Sequence, residues 1–436
     1  MANVAILTTF TKFDPWYSLT GIVKDQATML AEYENTVSVF VNERYKDPSF
    51  IPGEVEAFES ARKKLVDFIP KIPFTHLTDY QPQDESISKE HEAIAESTAA
   101  MLVEQCNTLD IDTVFTHDFV FTGWNRPYAL GIQKASPKLP KVSWLHWIHS
   151  IPTANSCWWR MSDYGLNHKL VYPNRTDIIR VAESFRTNTS SIRVIPHIKD
   201  IRVMFDFDMI TRNIIDDVPA LMQADIVQIY PASSDRFEAK RVKEVMQILA
   251  AIKSMGHSVC LFVANQWATT AKHRADIDEY YAHGKKYGLE PGKDLIFSSF
   301  LTQFPFKVGI PSKILTQLMM LSNLFVFPTD HETFGLVLPE VSLASGALCV
   351  LNRSLHMMQE ISGGNTLFFD FGSYTNIHNC PDPDEYLRQV AMIILGRMQE
   401  NDGIMTRTHM RKTYNTDNLY KKYYLPIMAE TRMYIP

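Results

Sequence analysis

Two glutamates, Glu332 and Glu340, bracket a Phe-Gly pair in the segment Phe327-Pro328-Thr329-Asp330-His331-Glu332-Thr333-Phe334-Gly335-Leu336-Val337-Leu338-Pro339-Glu340. Neither carboxylate is needed for a core, and both can accept hydrogen bonds from sugar hydroxyls. Gly335 allows a ligand close to the backbone. The N–H groups that open the following helix can face a phosphate, and Pro339 suits a first helical turn, where its missing N–H would be unpaired anyway. Two other places put histidine just after an apolar run: Thr116-His117-Asp118 and Trp144-Leu145-His146-Trp147-Ile148-His149. His146 and His149 have no evident third partner for a metal, so no metal site is expected.

Groups of this kind need a rigid frame, and the chain supplies one. Short β-branched or aromatic runs alternate with helical stretches: Ala5-Ile6-Leu7, then a helical pattern from Ile22 to Tyr33, then Val37-Ser38-Val39-Phe40-Val41. Further strands are expected at Thr113–Phe115, Lys141–Leu145 and Lys169–Tyr172. A second series follows an irregular stretch from Asp200 to Ala224, with strands at Ile226–Tyr230, Ser258–Val263, Asp294–Phe297, Leu324–Phe327 and Leu348–Leu351. Alternation of this type predicts parallel sheets with helices on both faces, in two α/β units joined near residue 210. The loop bearing Glu332 then lies at the carboxyl end of a parallel strand, where such sheets bind ligands.

The segment from Phe327 to Ala344-Ser345-Gly346 resembles the Glu-x-x-Phe-Gly…Glu signature of the retaining GT-B glycosyltransferases that include sucrose synthases and bacterial mannosyltransferases. The resemblance implies that Glu332 contacts the donor sugar, that the backbone of Phe334, Gly335 and Leu336 approaches sugar and phosphate, and that Glu340 binds the ribose hydroxyls. Tyr230–Val242 is similar to the family's Arg…Lys-Gly loop, which holds the diphosphate. The pairing there is open: Arg236 with Lys240, the preferred register, or Arg236 with Arg241. Cations so placed stabilise the nucleotide as it leaves. Related enzymes put a histidine near the donor hexose, and His146 matches that place best. Ile192–Asp200 looks like the segment that closes the family's first domain.

The expected fold is therefore GT-B, two Rossmann-like α/β domains: 1–210 for the acceptor, 211–410 for the nucleotide-sugar donor, and 411–436 a helical segment crossing back to the first domain. The implied activity is retaining transfer of a hexosyl or pentosyl group from a nucleotide diphosphate sugar to a hydroxyl, with no cofactor and no metal. Departures from the family include the first βα loop, Thr8–Gly21, which has only Gly21, and Leu355-His356-Met357 in place of a Gly-Gly turn before Glu360. Asp206-Phe207-Asp208 has the form of a metal-binding Asp-x-Asp, but Asp110-Ile111-Asp112 and Asp382-Pro383-Asp384 have the same form.

Bulk properties narrow the class. The chain has 436 residues, 45% hydrophobic and 21% charged, with net charge −6, which gives no global basic field for nucleic acid. Its five cysteines form no Cys-x-x-Cys pair, which argues against a zinc module. No run approaches the ~18 apolar residues of a membrane span, and the N-terminus reads as a strand rather than a leader, so a cytoplasmic protein is expected. The acceptor is open: a glycan, a lipid-linked sugar, or a hydroxymethylated pyrimidine in DNA, for which Trp144, Trp147, Trp158, Trp159, Arg126, Arg160 and Arg175 are candidates. A nucleotide-sugar 2-epimerase and a non-catalytic GT-B subunit are the alternatives.

Overall fold

A computed structural model describes residues 1–13, 17–46, 66–73, 88–117, 126–149, 160–161, 164, 167–303 and 305–432. The chain divides into two compact units, Met1–Lys199 with Tyr414–Pro436, and Asp200–Thr413.

The first unit is built on strands β1 (Asn3–Leu7), β2 (Thr36–Asn42), β3 (Val66–Ile72), β4 (Thr113–His117), β5 (Ser143–Trp147), β6 (His168–Tyr172) and β7 (Ile192–Val194). They form one sheet in the order β3-β2-β1-β4-β5-β6-β7, all parallel. Every residue of β4 and β5 is buried, as expected of a central parallel strand covered on both faces. The edge strand β3 buries only Ile72 and carries an exposed Pro70, at a place where a missing N–H is tolerated. The chain's final helices pack back on this unit. Tyr420 stacks on Tyr33 with ring centroids 3.8 Å apart, and Gln26 donates to the Tyr424 hydroxyl at 3.0 Å. Arg193 pairs with Glu430.

The second unit contains β8 (Ile226–Ser233), β9 (Val259–Gln266), β10 (Leu295–Phe297), β11 (Leu324–Phe327), β12 (Leu348–Asn352) and β13 (Leu367–Phe369). Its backbone ladders give two parallel triplets, β10-β9-β8 and β11-β12-β13. Side chains close the gap between them. The Gln228 carboxamide donates to the Val326 carbonyl at 2.9 Å and accepts from the Val326 N–H at 3.0 Å. Asn323 Oδ1 and Ser322 Oγ accept from the Val227 and Ile229 amides. The combined order, 3-2-1-4-5-6 in chain sequence, is the Rossmann arrangement, with its reversal between β8 and β11. The helix Val242–Ser254 buries Val242, Val245, Met246, Leu249 and Ile252, and the helix Pro383–Gln399 lies against it.

The stretch from Asp200 to Ala224, expected to be irregular, is instead helical at Ile201–Met204, Met209–Asp217 and Ala220–Gln223. Asp200 and Asp208 start the first two by accepting the amides of Arg202 and Ile210. In the Asp-x-Asp form, Phe207 is core and Asp208 is that cap, paired with Lys313. Their role is structural.

Candidate active site

At the carboxyl ends of β8 and β11 two loops meet. The loop after β8 passes through a short turn at Ser234–Arg236 to Arg241, whose left-handed backbone (φ 51°) starts the helix Val242–Ser254. Its shape is fixed internally: the Lys240 amide donates to the Arg236 carbonyl, and the buried Tyr230 hydroxyl donates to the Lys240 carbonyl. The loop after β11 is fastened to it, because the Asp330 amide and the Thr329 hydroxyl both donate to the Ala239 carbonyl.

This fastening brings charges of opposite sign together. Lys240 Nζ donates to Glu332 Oε1 in an ion pair whose two side chains are each 13% exposed. The Phe327 ring lies 5.0 Å below the same ammonium. Burial, and then the positive charge of Arg236, push the Lys240 pKa down to about 8, while Asp330 pulls the other way. The Glu332 carboxylate acts in the same sense as Asp330, so Lys240 is an ammonium at neutral pH. Arg236 Nη2 lies 3.1 Å from His331 Nε2. His331 Nδ1 is bonded to Asp330 Oδ1. A guanidinium can only donate. His331 therefore accepts at Nε2 and carries its proton on Nδ1, toward Asp330.

Gly335 has φ +70°, and a Cβ there would lie 3.3 Å from both Met358 and Phe327. The sequence needs glycine at this turn for backbone shape and for space. Phe334 and Leu336 are exposed on either side of it, and Glu340 is exposed in the first turn of the helix Val337–Ser345. Arg241 turns to Glu244 on its own helix, at 3.1 Å. The structure thus brings Arg236, Lys240 and Glu332 together, through a His331 that sequence reasoning did not select, and leaves Arg241 outside that group.

Asn352 was also missed. It ends β12, has no exposed surface, and uses its whole carboxamide. Nδ2 donates to the carbonyls of Thr329 (2.9 Å) and Gly372 (2.6 Å), and Oδ1 accepts from the amides of Ser354 and Phe371, both at 3.1 Å. One side chain ties together the loops that follow β11, β12 and β13. A polar residue closing the apolar run Leu348-Cys349-Val350-Leu351 was the available signal.

In the first unit, His146 is fully buried. Its Nδ1 lies 2.8 Å from the Thr116 hydroxyl and its Nε2 2.8 Å from His168 Nδ1. Burial pushes its pKa down to about 3. Both ring nitrogens are engaged and no surface is left for a sugar, so the position expected from the resemblance is one of internal packing. On the sheet's other face His117 bonds Gln26 at 2.9 Å and His149 at 2.8 Å, and His149 stacks on His197. Trp144 and Trp147 are buried, as is Arg126, while Arg160 and Arg175 are exposed; Trp158 and Trp159 lie outside the described residues. Glu360 is exposed on the helix Met357–Ser362. Among the described residues no group of three or more His, Cys, Asp or Glu side chains is arranged to hold a metal ion, and no helix is long and apolar enough to cross a membrane.

No family model matches the chain, and no curated protein matches it. Among solved structures it is similar to a glycosyltransferase from Rickettsia africae ESF-5, at 13% identity and TM-score 0.36 over 100% of this chain and 99% of that one. It is similar to the trehalose-6-phosphate synthase OtsA at 12% identity and TM-score 0.36 over 100% of both chains. WaaG, a glycosyltransferase involved in lipopolysaccharide biosynthesis, is similar at 15% identity and TM-score 0.31 over 99% of both. Likeness at this level assigns no activity.

Proposed function

We propose that this protein is a retaining GT-B glycosyltransferase that moves a sugar from a nucleotide diphosphate sugar to a hydroxyl acceptor without a metal. The observation that carries the reading is the meeting of Arg236, Lys240 and Glu332 at the carboxyl edge of the second unit's sheet, directly ahead of Gly335 and the Glu340 helix. That edge, at the strand-order reversal, is where a Rossmann-type sheet takes a nucleotide.

The roles follow from charge. Arg236 and Lys240 face the diphosphate and gain most as negative charge grows on the leaving nucleotide. Glu332 accepts hydrogen bonds from the sugar, and Glu340 accepts them from the ribose hydroxyls. The leaving diphosphate itself takes the acceptor proton, so no protein nucleophile is required. The 1–210, 211–410 and 411–436 division belongs to the same proposal, as does a cytoplasmic site of action.

The test is calorimetric titration with UDP, GDP and ADP and their glucose conjugates, followed by transfer to candidate glycan, lipid-linked and hydroxymethylpyrimidine acceptors. Retention predicts that the NMR coupling across the new glycosidic bond matches the donor's anomer. Glu340→Ala should weaken every bound nucleotide by ~1.5–3 kcal/mol, the worth of hydrogen bonds to a charged group. A panel in which no nucleotide binds, or a product of inverted configuration, overturns the reading. Donor consumed to a C2 epimer with no acceptor present identifies an epimerase instead.

A further inference from the structure

Each of the cations assigned above to a diphosphate already has a partner within the chain. Lys240 holds Glu332. Arg236 donates to His331 Nε2, and His331 Nδ1 in turn donates to Asp330 Oδ1. Three consecutive residues of one loop therefore occupy both cations. We propose that Asp330-His331-Glu332 is a tethered counter-anion, and that a diphosphate ligand binds by exchanging with it.

The loop is built for exchange at its tip and not at its base. Its base is fixed by the bonds from Asp330 and Thr329 to Ala239, by the Tyr374 amide donating to the Asp330 carbonyl, and by Asn352 donating to the Thr329 carbonyl. Beyond Glu332 the residues Thr333 and Phe334 are exposed, and Gly335 supplies the left-handed turn on the far side. The Lys240 ammonium has little room to serve two anions. Its side chain is largely enclosed, with the Phe327 ring beneath it and Glu332 against it. A phosphate oxygen that reaches Lys240 takes the place of the carboxylate, and like charge then drives the two apart.

Exchange has a consequence for selectivity, and this part rests on the function proposed above. A diphosphate without a sugar must displace Glu332 and leaves it unpartnered. A sugar-bearing diphosphate displaces it and then offers it hydroxyls. The same carboxylate thus opposes binding of the bare nucleotide and favours binding of the donor, which also helps the nucleotide to leave after transfer.

Inorganic pyrophosphate is the probe, because it needs neither a base nor a sugar, and it is titrated calorimetrically into the full chain. Glu332→Gln keeps the size and removes the charge, and should tighten pyrophosphate by about 10-fold, the scale of a partly buried ion pair. Glu332→Asp, which shortens the reach to Lys240, should give a smaller gain, and stands in if the Gln variant does not fold. Lys240→Ala with Glu332→Gln should abolish binding. Unchanged or weaker pyrophosphate affinity in both Glu332 variants overturns the exchange, as does a protein that binds no pyrophosphate in any form. Tightening in a protein that binds no nucleotide keeps the exchange and removes the transferase reading. Nucleotide-sugar binding with no tightening does the reverse.

Discussion

At the ends of β4 and β5 stand His117, His146 and Trp147, with His149 just beyond; at the ends of β8 and β11 the loops carry Arg236, Lys240 and Glu332. Both sheets share the order 3-2-1-4-5-6 at their centres, so both offer a crevice at the same topological place. The first unit fills its strand ends with imidazoles that bond and stack on one another. Burial lowers the pKa of His117, His146, His149, His168 and His197, and for His146 and His149 it falls to about 3. The second unit keeps full charges in contact there. Two sheets of the same strand order therefore carry a packed imidazole network in one unit and an ion pair on the loops beyond the strands in the other.

The largest break in this contrast is expected from Lys240→Ala. It removes the enclosed charge, so turnover should fall by about 10²–10³, as when a transition-state charge partner is lost, while His146→Asn leaves nucleotide affinity within about twofold. Steady-state kinetics and titration on both variants decide it; a wild-type kcat for Lys240→Ala returns the role to Arg241. Next comes Asn352→Leu. It leaves two carbonyls and two amides of three loops without their partner, each costing ~1–3 kcal/mol if it stays buried. A loss of at least ~3 kcal/mol in the free energy of urea unfolding is expected. Asn352→Asp, which keeps the acceptor and loses the donors, should fall between that variant and the wild type.

Acidity and alkalinity should then act on different units. An unfolded histidine titrates near ~6.5. Between that value and about 3, His146 and His149 bind protons only when the chain unfolds. Their stabilisation is complete above the unfolded value and shrinks as pH falls, by up to ~1.4 kcal/mol per pH unit for each. Hydrogen exchange should show strands β4 to β6 losing protection first as pH drops from 7 to 5; earlier loss in β8 and β9 would refute this. On the alkaline side Lys240, whose pKa burial lowers to about 8, should lose its charge earlier than an exposed lysine. Pyrophosphate affinity should decline there, and Lys240→Arg should hold it to higher pH.

Legibility followed the range of the interactions. Buried parallel strands such as Val37-Ser38-Val39-Phe40-Val41 announce themselves, because both faces are apolar. Edge strand β3, Val66-Asp67-Phe68-Ile69-Pro70-Lys71-Ile72, shows no such run. The short helices after Asp200 depend on aspartate caps that a periodicity scan passes over. In the candidate site, Glu332, Phe334-Gly335 and Glu340 stand out in the sequence as one contiguous motif. Asn352 and Gln228 do not, since their partners lie up to 23 and 98 residues away. His146 was misplaced for a related reason. Sequence sets it at a strand end, but only the register that puts it against Thr116 and His168 shows that it faces inward.

The amide rung between β8 and β11 makes the second unit's sheet a joined pair and not a single fabric. Where a backbone ladder would bind the two middle strands along their length, one carboxamide from Gln228 spans them, flanked by the side chains of Ser322 and Asn323 and by a single backbone bond from the Asn323 amide to the Val227 carbonyl. Each triplet keeps its own unbroken ladder, so local opening can follow the seam without breaking a backbone bond within either triplet. The Arg236–Arg241 loop grows from one side of that seam and the Glu332 loop from the other. Opening along it would part the cations from the carboxylate only after the Asp330 and Thr329 bonds to Ala239 release, and the Val326 amide, protected by a side chain, is the proton whose exchange would time it.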